Sequence, residues 1–166
     1  GAGGNVGPFA VQIAKAFGAE VTGVDHTDKL EMIQSIGADH VIDYTEQDYT
    51  KIGKRYDRIF DMAAFHSIFA TRRSLAPGGV YVMIPGTVNQ LLRLLVTPIV
   101  SLLGSRKMCM LRWRPFELDD VVTLTGLIEE GRVKPYIDHV YRFEEIPAAL
   151  QHQYEGRSRG KLVVRM

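Results

Sequence analysis

Apolar residues at Val6, Ala10, Ile13, Ala14 and Phe17 recur at three- and four-residue spacing, which predicts an amphipathic helix close to the start of the chain. A short β-rich run, 21–25, follows and ends in Asp25. The same alternation continues down the sequence. Thr27 is placed to cap a helix carrying Leu30, Ile33 and Ile36, with Gly37 as its stop, and residues 40–44 read as the next strand. Residues 58–62 predict a further strand, 67–75 a helix that stops at Pro77-Gly78-Gly79, and 80–84 another strand closed by Pro85-Gly86. One more strand falls within 107–113. The helix after it, 117–131, carries Val121, Leu124, Leu127 and Ile128 at helical spacing. After Pro135 come a strand at 137–143, a helix at 144–155 with Pro147 in its first turn, and a last strand at 161–164. Strands and helices in this regular order predict a doubly wound α/β fold on a parallel sheet. No internal repeat, low-complexity segment or Gly/Ser linker interrupts it.

The chain opens inside a turn, Gly1-Ala2-Gly3-Gly4-Asn5-Val6-Gly7, that leads straight into the first helix. Glycines there let the backbone approach a pyrophosphate, the helix N-terminus offers free N–H groups and partial positive charge, and an acid about 20 residues on can accept from a ribose hydroxyl. Together they predict a dinucleotide site. The strand that precedes such a turn is absent, and in this fold it lies at the centre of the sheet. The expectation is therefore a C-terminal piece of a larger enzyme, its gap filled by a longer polypeptide or by a second copy, with the tail from about Pro135 displaced.

Composition narrows the field of partners. Hydrophobic residues make up 46% and charged residues 23% of the 166, as in packed globular domains. A formal charge of +1 gives no electrostatic case for nucleic acid or an acidic membrane. The single cysteine, Cys109, leaves no internal disulfide and no cysteine-rich zinc site, so a reducing, cytoplasmic setting is expected. The most apolar stretch, 91–103, is interrupted by Arg93 and Pro98 and is shorter than the roughly 20 residues of a membrane span. It reads as a buried or pocket-lining helix.

Rival chemistries fail on spacing. Gly156 to Leu162 has too few residues between its glycines for a phosphate loop and leads into a strand. No Tyr-x-x-x-Lys pair occurs. His26, His40, His66, His139 and His152 fall at no metal-ligand spacing. Asp57 and Asp61 give little support for an acid/base pair. A methyltransferase shares the glycine turn and the acid on the second strand, and stays the competing reading of these elements alone.

Six phrases in order, GAGGNVG, FGAEVTGVD, SIGADHVIDY, RIFDMAA, LAPGGVYVMIPG and GRSRGKLVV, resemble the nucleotide-binding half of medium-chain dehydrogenase/reductases. The likeness covers essentially the whole chain. Within that superfamily it is similar to the quinone oxidoreductase and zinc-type alcohol dehydrogenase-like branch, much of which works without zinc. The resemblance implies a Rossmann domain over residues 1–134, lacking its first strand, and a segment over 135–166 that returns to a GroES-like catalytic lobe. It also implies a homo-oligomer.

Carried onto this sequence, the resemblance assigns Gly4, Asn5, Val6 and Gly7 to the pyrophosphate turn, with Asn5 standing where many members have glycine. Asp25 favours NAD, whereas Lys29 stands where related reductases place a phosphate-binding lysine and His26 replaces a small hydroxyl residue. Lys29 reads equally as a solvated helix residue. Tyr44 is placed to flank the adenine or is an ordinary strand-end aromatic. Ala63 and Ala64 leave room for a ribose, and Gly86 falls near the nicotinamide; all three also suit plain tight turns. Arg157, Arg159 and Lys161 resemble a closing basic segment that reaches the cofactor, against the commoner reading as three solvated charges. The expected activity is NAD(P)-dependent hydride transfer on a carbonyl, enone or quinone-type substrate, NAD slightly favoured. No catalytic or metal-binding residue is assigned. The alternative is a cofactor-binding module without turnover of its own.

Overall fold

The computed structural model describes residues 1–84, 97–102, 104–111 and 117–166. Gly86 and most of the apolar stretch 91–103 lie outside the described residues. The chain forms two compact units, residues 1–45 with 116–166 and residues 46–115. Among the described residues every strand pair is parallel, in hydrogen-bonded sheets of two, three and two strands.

In the first unit, α1 (Gly7–Ala16) leads to β1 (Thr22–Asp25), α2 (Thr27–Ser35) and β2 (His40–Asp43). β1 and β2 pair in register from Thr22 opposite His40 to Asp25 opposite Asp43. Val11, Met32, Ile33 and Ala38 form the core beside them. Packing is tight enough that a Cβ on Gly23 would sit 2.4 Å from Ile33 Cγ2. The N–H groups of Gly1 and Ala2 both donate to the Val24 carbonyl, so the first residues run along β1.

The later part of this unit holds the helix Leu118–Glu129, β6 (Ile137–Arg142), a 3-10 turn (Phe143–Glu145), the helix Ile146–Tyr154 and β7 (Lys161–Arg165). Gln12, buried on α1, joins it to the start of the chain. Its Nε2 donates to Lys134 O at 2.9 Å and to Pro8 O at 3.0 Å, and its Oε1 accepts from Lys134 N at 2.9 Å.

The second unit carries β3 (Tyr56–Asp61), α3 (Ile68–Arg73), β4 (Leu75–Met83), the short helix Thr97–Ser101 and β5 (Lys107–Met110), with β4 central. Ile68, Leu75, Tyr81, Met83, Val100 and Met108 build its core. Two expectations are corrected here and in α2. Pro77-Gly78-Gly79 does not stop a helix: Leu75 already pairs with Tyr56, the ladder resumes at Val80 opposite Arg58, and the residues between bulge out with Gly78 at φ 76°. Thr27 does not cap α2, because its hydroxyl donates to Asp43 and His26 takes the cap, its ring accepting from Asp28 N at 3.4 Å.

Two stability predictions follow from these polar contacts. Gln12→Leu strips the partners from Lys134 N and O, and is expected to cost about 1–3 kcal/mol in chemical denaturation. Asp48 supplies the second. Burial raises its pKa, but the hydroxyl and N–H of Thr50, with Lys51 and His66, outweigh burial and hold it at about 2 against an ordinary 3.8. A carboxylate with a depressed folded pKa stabilises above its unfolded value and loses that contribution as pH falls toward the folded one. Asp48→Asn should lower stability by roughly 1 kcal/mol at pH 7. Its difference from the wild type should shrink between pH 4 and 2, as read by thermal melts across that range.

Candidate dinucleotide site

The opening turn is shaped by what cannot fit. A Cβ on Gly7 would lie 2.3 Å from Ala2 O, and one on Gly3 2.8 Å from Lys29 Cβ, so both positions exclude a side chain. Gly4 differs, since a Cβ there meets only Gly1 O at 3.6 Å. Its missing side chain leaves open surface. Val6 caps α1 without a side-chain hydrogen bond, and Pro8 in the first turn has no N–H to satisfy. Among the described residues the N–H groups of Asn5, Val6 and Gly7 make no backbone hydrogen bond. An uncapped helix end with open backbone fits a pyrophosphate, which would accept from those N–H groups.

Around this turn the first unit gathers Asp25, His26, Lys29 and Tyr44. Asp25 is buried; its Oδ2 accepts from Gly3 N at 2.8 Å and its Oδ1 from His26 N at 2.9 Å. Tyr44 is exposed and stands edge-on to the His26 ring, centroids 6.0 Å apart, which presents an aromatic surface beside the end of β1. Lys29 is half-buried, and its Nζ donates to Gly156 O at 3.0 Å, so it ties the tail to α2. Arg159 is exposed; its backbone N donates to Asp138 at 3.0 Å.

Ala63 and Ala64 belong to the second unit, beyond the end of β3. Their N–H groups donate to Asp61 Oδ1 at 3.1 and 2.6 Å, while Tyr81 OH donates to Asp61 Oδ2 at 3.0 Å. Ala64 takes a left-handed φ of 50°, which the Asp61 contacts hold in place. Among the described residues no group of three or more His, Cys, Asp or Glu is arranged to hold a metal ion.

Three polar residues of these units escaped sequence reasoning. Gln12 sat on an apolar helix face with nothing to mark it. Asp43 lies in the HVIDY phrase and accepts from the Thr27 and Thr45 hydroxyls and from Thr45 N, which hold its carboxyl below the ordinary range. A Thr two residues after an Asp is the available signal for that turn. Asp61 reads in the sequence as a weak acid/base partner of Asp57, and its place two residues before Ala63-Ala64 is the available signal for the turn it forms.

Parallel strands, interleaved helices and a glycine turn at an uncapped helix define a Rossmann-like α/β chain. The family described as "Zinc-binding dehydrogenase" matches residues 36–164. The chain belongs to this family, within the medium-chain dehydrogenase/reductases. It is 31% identical over 190 residues to the mouse (Mus musculus) protein named NAD(P)H oxidoreductase RTN4IP1, mitochondrial, covering 99% of this chain and 46% of that protein. It is also 31% identical over 169 residues to the chloroplastic NADPH-dependent alkenal/one oxidoreductase of Arabidopsis thaliana, covering 99% and 38% respectively. The quinone oxidoreductase from Coxiella burnetii shares the fold at a TM-score of 0.81 and 23% identity, over 99% of this chain and 50% of that one. The chain thus spans about half the length, or less, of the relatives it matches.

Asp61→Ala should loosen the turn at Ala64 by releasing two backbone N–H groups and the Tyr81 hydroxyl. The expected cost is about 1–3 kcal/mol, seen as a lower melting temperature.

Proposed function

We propose that this chain is the dinucleotide-binding part of an NAD(P)-dependent oxidoreductase that transfers hydride to or from a carbonyl, enone or quinone-type substrate. The observation that carries the reading is the open backbone at Gly4 beside the uncapped start of α1. The names of the mouse and Arabidopsis relatives support the reaction class and leave both NAD and NADP as cofactors. Bound nicotinamide supplies the hydride chemistry; the chain's own part is to bind and orient the dinucleotide. Asn5, Val6 and Gly7 would hold the pyrophosphate through their N–H groups, and Tyr44 with His26 would flank the adenine end. Ala63, Ala64 and Gly86 are assigned to the ribose and nicotinamide end, and Arg159 to the closing segment. No residue of this chain is given a catalytic role.

The domain division at 134/135, with the tail returning to a catalytic lobe, and a homo-oligomeric assembly belong to the same proposal. Among the described residues no helix is long and apolar enough to cross a membrane. A cytoplasmic location is proposed from the single cysteine, and fractionation tests it against the mitochondrial and chloroplastic names of the relatives. The second reading is a cofactor-binding module without turnover of its own. A reductase assay run beside a dinucleotide titration separates the two.

Gly4→Val tests the site without disturbing the fold, because the structure has room for a Cβ there and the pyrophosphate does not. Dinucleotide affinity in calorimetry should fall at least tenfold while the melting temperature of the free protein stays within a few degrees. Unchanged affinity would remove the site from this turn.

A further inference from the structure

We infer that Asp43 is a positioning residue: it sets the placement of Tyr44 against His26, and acts on the adenine end of the dinucleotide through the Tyr44 ring. The inference rests on the dinucleotide reading above and gives a role to a residue outside the contacts proposed there. Two separate stretches of chain carry the two rings. The β1–β2 register ends at Asp25 opposite Asp43, with Tyr44 N donating to the Asp25 carbonyl at 3.1 Å. Beyond that point one stretch turns into α2 and the other leaves β2.

The Asp43 side chain joins them. Its Oδ2 accepts from the hydroxyl of Thr27, the residue after His26, and its Oδ1 accepts from the N–H of Thr45 at 2.8 Å and from the Thr45 hydroxyl at 2.6 Å. Thr45 is the residue after Tyr44, so one carboxylate is tied to the chain immediately beyond each ring. The bonds to Thr45 shape the local turn, as an aspartate two residues ahead of a threonine does. The bond to Thr27 is not local, since it spans 16 residues and reaches the first turn of α2. Asp43 is buried, and the Thr27 hydroxyl first, then Thr45, holds its carboxyl below the ordinary range. Bonds to such an ionised acceptor are of the stronger kind.

Tyr44 needs this support, because at 56% exposure packing does little to hold its ring. Its centroid lies 6.0 Å from that of His26 with the rings edge-on, so their relative placement shapes the surface that a planar base would meet. A tie made before the ligand arrives lowers the ordering cost of binding.

Calorimetric titration with ADP-ribose, which carries the adenine and pyrophosphate without the nicotinamide, tests this in the wild-type chain, Asp43→Ala, Asp43→Asn, Tyr44→Ala and the double variant. Asp43→Ala is expected to weaken binding about fivefold in the wild-type background and by less than about twofold in the Tyr44→Ala background, since a residue acting through a ring has nothing to act on once the ring is gone. Asp43→Asn should stay within about twofold of wild type, because its oxygen can accept from Thr45 and its amide can donate to the Thr27 hydroxyl. A merely structural role would weaken binding by the same factor in both backgrounds, and that result overturns the inference. So does unchanged affinity in Asp43→Ala, or an Asn variant as weak as Ala, which would make the charge and not the placement the active property. Where Asp43→Ala is too unstable to titrate, Thr27→Val, which removes only the tie to α2 at an exposed position, carries the same cycle with the same criteria. Should the wild type not bind ADP-ribose, the functional reading fails by itself. The placement is then judged by NMR on the contact between the Tyr44 and His26 ring protons: its loss in Asp43→Ala supports the inference, and its persistence overturns it.

Discussion

Of the glycines in the first unit Gly7 leaves the least room for a side chain, since even a single methyl would lie 2.3 Å from the backbone oxygen of Ala2. That contact sets α1 flush against the residues running along β1, and it explains the choices around it. A Ser or Asp cap would fill the helix end with its own oxygen. Val6 does not, and Pro8 removes a donor that would otherwise need a partner. The N–H groups of Asn5, Val6 and Gly7 are left for a ligand. Gly23 makes the matching approach on the other side of the turn, letting α2 close over β1 through Ile33, which is fully buried.

Periodicity made most of this legible. The helices at α1 and α2 and the strands ending at Asp25 and near Asp61 lie where apolar spacing placed them, because packing against one face is what produces that spacing. The failures have a common cause in nonlocal partners. Pro77-Gly78-Gly79 has the composition of a helix stop, but pairing of Leu75 with Tyr56 draws the segment into a strand and the breakers become a bulge. Thr27 has the chemistry of a cap, but Asp43 sits within reach of its hydroxyl and takes it. Neither competitor is visible within a local window. Of the candidate site, the glycine turn and the aromatic at Tyr44 were readable by type and position, whereas the partners of Lys29 and Asp25 required the fold.

Charge tells the same story from the polar side. A near-neutral chain with 20 basic and 19 acidic side chains offers many carboxylates as candidate ligands. The structure commits several of them to backbone N–H groups: Asp39 to Val21, Asp43 to Thr45, Asp48 to Thr50, Asp61 to Ala63 and Ala64. Loops between parallel strands and helices leave amides without ladder partners, and a short carboxylate side chain is the group that reaches them. An aspartate in such a loop is therefore first a turn former, and becomes a ligand only where an oxygen also faces open surface.

Of the acids that end β1, β2 and β3, Asp43 and Asp61 accept from backbone N–H groups two or three residues ahead, which local turn preference explains. Asp25 accepts from its neighbour His26 and also from Gly3, 22 residues earlier. No local preference produces that second bond. It exists because Gly7 and Gly23 allow the turn to lie against the end of β1, so the acid can reach an amide that the sequence places far away. The two glycines and the carboxylate act as one device: the missing side chains bring the backbones together, and the charge holds them there.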